Sequence, residues 1–106
     1  MTDIELIRNL AKAHKIQFTE HASKRAFERS IDVMSDIMPA LLNGSIIEEY
    51  PDDYPYKSFL LSGKTVRNIP LHIVCAVAGD VLWIITEYFP DNIKWESDFK
   101  TRKEKQ

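Results

Sequence analysis

In 106 residues the chain has one cysteine, three glycines and no long apolar run, and each scarcity excludes something. A single thiol, Cys75, can form neither an intrachain disulfide nor a cysteine-based metal site. Its place inside an apolar stretch reads as a small core residue of a protein from a reducing compartment. Gly44, Gly63 and Gly79 each fall at an expected turn, so no glycine-rich phosphate loop exists, which argues against nucleotide hydrolysis. The longest apolar run, around Leu82 to Thr86, is far below the roughly 20 residues that cross a bilayer. The N-terminus lacks the basic and apolar regions of a secretory leader, so a soluble, cytoplasmic protein without membrane contact is expected. Basic charge is missing as well: 14 Lys and Arg stand against 16 Asp and Glu, a net charge of -2. That balance disfavours nonspecific coating of nucleic acid and leaves room for a local basic cleft.

What is there is ordinary globular material, 44% hydrophobic and 28% charged, enough for one core. A single domain is expected over 1–106, with its core at about 4–99 and a charged tail at 100–106. Thr2 followed by Glu5 is a capping-box signal, and Ile4, Ile7, Leu10 and Ala11 mark one face of a first helix, with Arg8, Lys12 and Lys15 on its wet side. A short extended piece, 16–18, leads to Thr19 as N-cap of a second helix running to about Ser30, with Ala22, Ala26 and Phe27 as its packing side. A third helix is expected over 32–44, ended by a left-handed Gly44, and Pro39 within it predicts either a later start near Ser35 or a kink.

From Ser45 the period becomes two. Strands are expected at 45–50 and 57–63, separated by Pro51, Asp52, Asp53 and Pro55, and at 70–78 and 81–89, separated by the two-residue loop Gly79-Asp80. Helices followed by strands predict an α+β fold, with N-terminal helices packed on one face of an antiparallel meander of about four strands. The central strands are nearly all apolar, which fits strands covered on both faces or a homodimer interface. In the tail, Ile93, Trp95 and Phe99 are expected to pack on the body.

Two groups carry chemistry. His21, Arg25 and Arg29 recur every four residues on the second helix and form one cationic ridge, with Lys24 beside it. The plain reading is a solvated face whose arginines pair with Glu28 or Asp32. The sharper one makes His21 a general base and the arginines a phosphate clamp, the pairing that phosphodiester cleavage requires. His72 interrupts an apolar strand. The simplest hairpin register sets it opposite Glu87, away from Thr86 and Tyr88, whereas one inserted residue brings it beside one of those two. It is either a hydrogen-bonded structural histidine or part of a site. No metal-binding spacing is present, and no cofactor is expected. Most aromatics read as core, and only the loop pair Tyr54 and Tyr56 points to ligand contact.

The stretches FTEHASKRAFERSI, LLNGSIIEEYPDDYPYKSFLLSG, PLHIVCAV and IITEYFPDNIKWESDFKTRK together resemble the bacterial domain-of-unknown-function family 4258 over about 16–102. That family in turn is similar to the small nucleases that include barnase and the RelE-like toxins. The resemblance implies a RelE/barnase-like body and a metal-independent, toxin-type endoribonuclease. It implies catalytic roles for His21, Arg25, His72, Thr86 and Tyr88, substrate binding by Arg29 and Lys24, and RNA and a cognate antitoxin as partners. The rival expectation is a noncatalytic protein-interaction module using the sheet face or the acidic loop at 48–56.

Overall fold

The computed structural model describes residues 1–104. The element order is α1 (Asp3–Lys12), β1 (Ile16–Phe18), α2 (Glu20–Glu28), a π-helical turn (Val33–Ile37), α3 (Met38–Asn43), β2 (Ser45–Tyr50), β3 (Ser58–Lys64), β4 (Pro70–Ala78) and β5 (Val81–Tyr88). No helix among the described residues is long and apolar enough to cross a membrane.

Local signals account for most boundaries. Thr2 Oγ1 accepts from Glu5 N while Glu5 Oε2 accepts from Thr2 N, both at 3.3 Å, closing the capping box of α1. Thr19 Oγ1 caps α2 by accepting from Ala22 N at 3.0 Å. The conflict at Pro39 is resolved by dividing the third helix. Asp32 caps a wider π turn, and α3 then begins at Met38, so that Pro39 falls in its first turn, where no intrahelical N–H donor is required. Gly44 is not the left-handed residue expected of it, because its φ is -76°. Its value lies in close approach: a Cβ there would stand 2.5 Å from Ala40 O, and one on Gly63 would stand 2.3 Å from the same atom. α3 therefore crosses the sheet over two bare backbone positions.

The sheet has five strands, not about four, and it is mixed, not purely antiparallel. The order is β1-β5-β4-β3-β2, with β1 parallel to β5 and every other pair antiparallel. The extended piece at 16–18 is the added strand. Lys15 O accepts from Leu82 N at 2.9 Å and Ile84 O accepts from Thr19 N at 3.0 Å, so three residues suffice to seat it. Beyond Ile84 the edge of β5 is met by side chains of the α2 region: Thr19 Oγ1 donates to Ile85 O at 3.2 Å and Arg29 Nη1 donates to Glu87 O at 2.6 Å.

One face of the sheet carries the helices. Ile7, Leu10, Ala22, Ala26, Ile37 and Leu41 pack against Phe59, Leu61, Ile73, Cys75, Leu82 and Ile84. Phe27, expected on that packing side, is 89% exposed, and Arg8, expected in water, is half-buried and donates to Gly44 O at 2.8 Å. The opposite face holds His72, Thr86 and Tyr88.

Candidate functional site

Period two along β4 turns His72, Val74 and Ala76 to the face away from the helices, since Ile73 and Cys75 belong to the core. What stands beside them depends on β5. Val74 pairs with Thr86 but Cys75 pairs with Ile84, so Ile85 is an extra, bulged residue. The bulge overturns the simplest register. His72 lies directly opposite Tyr88, with Thr86 two residues along on the same face, and Glu87 turns to the helix side opposite Ile73.

His72 is fully buried and satisfied at both nitrogens. Nε2 lies 2.6 Å from Phe99 O and Nδ1 lies 3.2 Å from Tyr88 Oη. A carbonyl only accepts, so Nε2 bears the proton and Nδ1 receives the phenol of Tyr88. Burial lowers the imidazole's pKa, against the Phe99 hydrogen bond and the charge of Glu48, which keeps the ring neutral. The Tyr88 ring meets His72 edge-on at 5.3 Å, and Trp95 does so at 4.6 Å.

Around this pair gather residues that the sequence reading did not single out. Arg102 grips Glu48 with two hydrogen bonds, at 2.6 and 3.0 Å, and its guanidinium lies 4.5 Å over the Trp95 ring. Tyr50 Oη donates to Glu48 Oε1 at 2.5 Å. Arg102's hydrogen bonds, with a smaller share from Tyr50, hold the Glu48 carboxyl below its ordinary pKa, and burial and Glu48 push the Tyr50 phenol up to about 12. Glu48 and Tyr50 alternate on β2, so period two was the signal that could have found them.

The cluster is covered. After β5 the chain turns back over this face as a small hairpin, in which Trp95 pairs with Arg102 and Glu96 N donates to Thr101 O at 2.8 Å. Trp95 is only 2% exposed, and Phe99 O accepts from both His72 and Ser62 Oγ, the latter at 3.2 Å. Of the tail residues expected on the body, Trp95 packs there and Ile93 stays exposed. Positions 105 and 106 of the expected charged tail lie outside the described residues.

The ridge on α2 stands apart from this cluster. His21 and Lys24 are exposed, and Arg25 is spent on Glu28 at 2.8 Å. Arg29, just beyond the last residue of α2, reaches the sheet edge at Glu87 O. Of the sequence candidates, therefore, His72, Tyr88 and Thr86 share one face, Arg29 touches its border, and His21, Lys24 and Arg25 face solvent.

Three further features bear on chemistry. Glu87 is buried, and neither carboxylate oxygen has a hydrogen-bond partner among the described residues; burial pushes its pKa up to about 7. A cleft of about 440 Å³ opens farther along the sheet face, between Trp83, Ala76 and Ile85 on one side and Tyr54, Pro55 and Tyr56 on the other. A larger polar cleft of about 740 Å³ lies where the ends of α3 and β3 meet the covering hairpin, with Arg8, Lys64 and Lys100 on its walls. Among the described residues no group of three or more His, Cys, Asp or Glu side chains is placed to hold a metal ion.

Comparison with known proteins adds one finding. The model of the family described as "Domain of unknown function (DUF4258)" matches residues 18–89, a stretch that ends just before the covering hairpin begins. No curated protein and no solved structure matches the chain.

Proposed function

The chain belongs to the DUF4258 family, and from that premise we propose that it is a metal-independent, toxin-type endoribonuclease whose chemistry lies at the covered sheet face, in a RelE/barnase-like body. The observation that carries this reading is the 2.6 Å contact from His72 Nε2 to the carbonyl of Phe99. The imidazole already presents a proton to an oxygen, and in this reading the leaving oxygen of a cleaved RNA strand would take that oxygen's place. Glu48, kept ionised, would take the proton of the ribose 2′-hydroxyl as it attacks phosphorus. His72 would pass the Nε2 proton to the departing 5′-oxygen as Nδ1 takes the phenol proton of Tyr88, so that no imidazolate forms. The products are a 2′,3′-cyclic phosphate and a free 5′-hydroxyl, and the proton taken up by Glu48 restores the phenol before the next turnover. Tyr88, bonded to Nδ1, orients the ring, and Thr86 lines the same face. Arg29 at the sheet border and the exposed His21 and Lys24 would hold the phosphates on either side, with Arg25 joining them if it leaves Glu28. RNA enters only when the hairpin lifts, because Phe99 and Trp95 occupy its place. An antitoxin or a second copy of the chain fits this reading as a partner that favours the closed form.

The test is cleavage of a single-stranded RNA in the presence of EDTA, with the products examined for cyclic phosphate. Replacing Glu48 with Gln should reduce the rate by about 10²- to 10⁴-fold, while Arg102→Ala, which frees the hairpin, should raise it. Cleavage that survives Glu48→Gln and His72→Gln unchanged sinks the assignment, as does inactivity of both the parent and Arg102→Ala. A noncatalytic protein-interaction module is the second reading, favoured by the complete burial of His72 and by a Tyr54 ring that is 95% exposed. Under that reading His72 only anchors the hairpin, and no variant cleaves RNA.

A further inference from the structure

We infer that the cleft between Trp83 and the loop bearing Tyr54 and Tyr56 is a stacking site for the bases of single-stranded RNA. The inference deepens the ribonuclease reading by naming its substrate class, and it rests on that reading.

The cleft is built for a flat, apolar group. Its floor is the open sheet face at Ala76, Trp83 and Ile85, and the opposite wall is the loop carrying Tyr54 and Tyr56. Three aromatic rings border one cavity of about 440 Å³, within the size range of small-ligand pockets. The rings stay in water although a few residues away the covering hairpin buries Trp95. Burying an exposed aromatic face against a base is worth enough to drive binding, and it tolerates any base because each has a π face.

Polar groups around the cleft fix what else the ligand must carry. Thr19, which lines it, already uses its hydroxyl on Ile85 O and Ala22 N. Asp53, the acid on the wall, accepts from the Ser58 hydroxyl. Hydrogen bonds thus offer little base discrimination, and stacking dominates. Thr19 is the N-cap of α2, and the exposed Lys24 in that helix's second turn supplies a positive charge beyond this side. A strand with a base in the cleft would have that charge for its phosphates. Toward the other end, His72 is four residues from Ala76 on the same face, about 13 Å at strand rise, a span of a few nucleotides. The cleft and the proposed chemistry thus lie on one path along the sheet. Duplex RNA hides its base faces and does not fit, so the substrate is single-stranded or looped.

The experiment titrates the full-length protein with a 2′-O-methyl adenosine hexamer, which lacks the attacking hydroxyl, and follows backbone amides and the two indole N–H signals by NMR. Saturable shifts of the Trp83 indole and of amides at 53–56 are expected, with a duplex of the same length inert. Tyr54→Ala and Trp83→Leu should each weaken binding roughly tenfold. Tyr54 is fully in solvent, so its truncation leaves the fold intact if the tryptophan is found to be needed for stability. An unmoved Trp83 signal, unaltered affinity in both variants, or capture of a proline-rich peptide at the same resonances while the hexamer stays inert overturns the inference. Failures of the two readings separate cleanly. Hexamer binding that depends on Trp83 or Tyr54, with unmodified RNA left uncut, removes the cleavage reading and leaves the stacking site. Cleavage undiminished in both variants, without hexamer binding, does the reverse.

Discussion

Replacing Glu87 with Gln should make the protein more stable at neutral and alkaline pH and abolish most of the pH dependence of its stability between pH 5 and 8. The carboxyl is buried on the helix side of the sheet opposite Ile73, with no hydrogen-bond partner for either oxygen among the described residues. Arg29 is near but spends its guanidinium on the backbone carbonyl of Glu87. Burial therefore raises the group from 4.5 to about 7 in the folded state. A carboxyl raised on folding holds its proton more tightly in the native form, so stability is greatest below the unfolded value, declines as pH passes from about 4.5 to 7, and levels off above that. At roughly 1.4 kcal/mol per pH unit the full penalty comes to about 3 kcal/mol. In a domain of this size that corresponds to roughly 10 °C or more in Tm at pH 8. Urea titrations of parent and Glu87→Gln at pH 5, 6, 7 and 8 read the effect directly. The parent should lose about 2.5 kcal/mol across the series, since part of the penalty is already present at pH 5, and the variant should stay nearly flat. Parallel curves for the two proteins would refute the placement of Glu87 as an unpaired acid in the core.

Two further substitutions probe packing. Gly63→Ala should cost about 1–3 kcal/mol, by overpacking, because its Cβ meets the backbone of α3 at Ala40 O and no side chain can move aside; urea midpoints lowered by less than in a surface Ala control would count against the close crossing. Trp95→Ala should cost about 3–5 kcal/mol as a buried aromatic truncation. It should also restore the pH titration of His72 toward its ordinary range in NMR, since Trp95 covers the ring. An unchanged His72 titration in a folded Trp95→Ala variant would show that the hairpin is not what buries it.

The parts of the fold written in short-range chemistry were legible. Thr2 with Glu5, Thr19, and the Gly79-Asp80 loop each specify a local geometry, and each is found where their spacing put it. Long-range fit was not legible. The piece at 16–18 is too short to reveal a periodicity, and its seat beside β5 depends on backbone groups of residues 65 to 67 positions away. The bulge at Ile85 has no glycine or proline to announce it, yet it decides which side chains meet His72. Gly44 and Phe27 misled for a related reason: a glycine needed for proximity resembles one needed for a turn, and an apolar residue next to the buried Ala26 falls on the wrong side of the helix. The covering hairpin was hidden by composition. Thirteen charged or polar residues among 91–106 mask the hairpin, although the Trp95 expected on the body does pack there, and the Arg102–Glu48 pair and the Phe99 carbonyl join it in holding the segment to the sheet.

The two margins of the sheet are unequal, and this shapes how the protein meets other copies of itself. On the β5 side a parallel strand, a threonine hydroxyl and an arginine occupy the carbonyls that an incoming strand would need. On the β2 side no strand lies alongside among the described residues, Ile47 breaks the ladder with a second bulge, and the charges of Glu48 and Glu49 are met within the chain by Arg102 and Lys57. A margin kinked in this way resists strand addition. Growth of the sheet into fibrils or edge-paired dimers is thereby discouraged on both flanks.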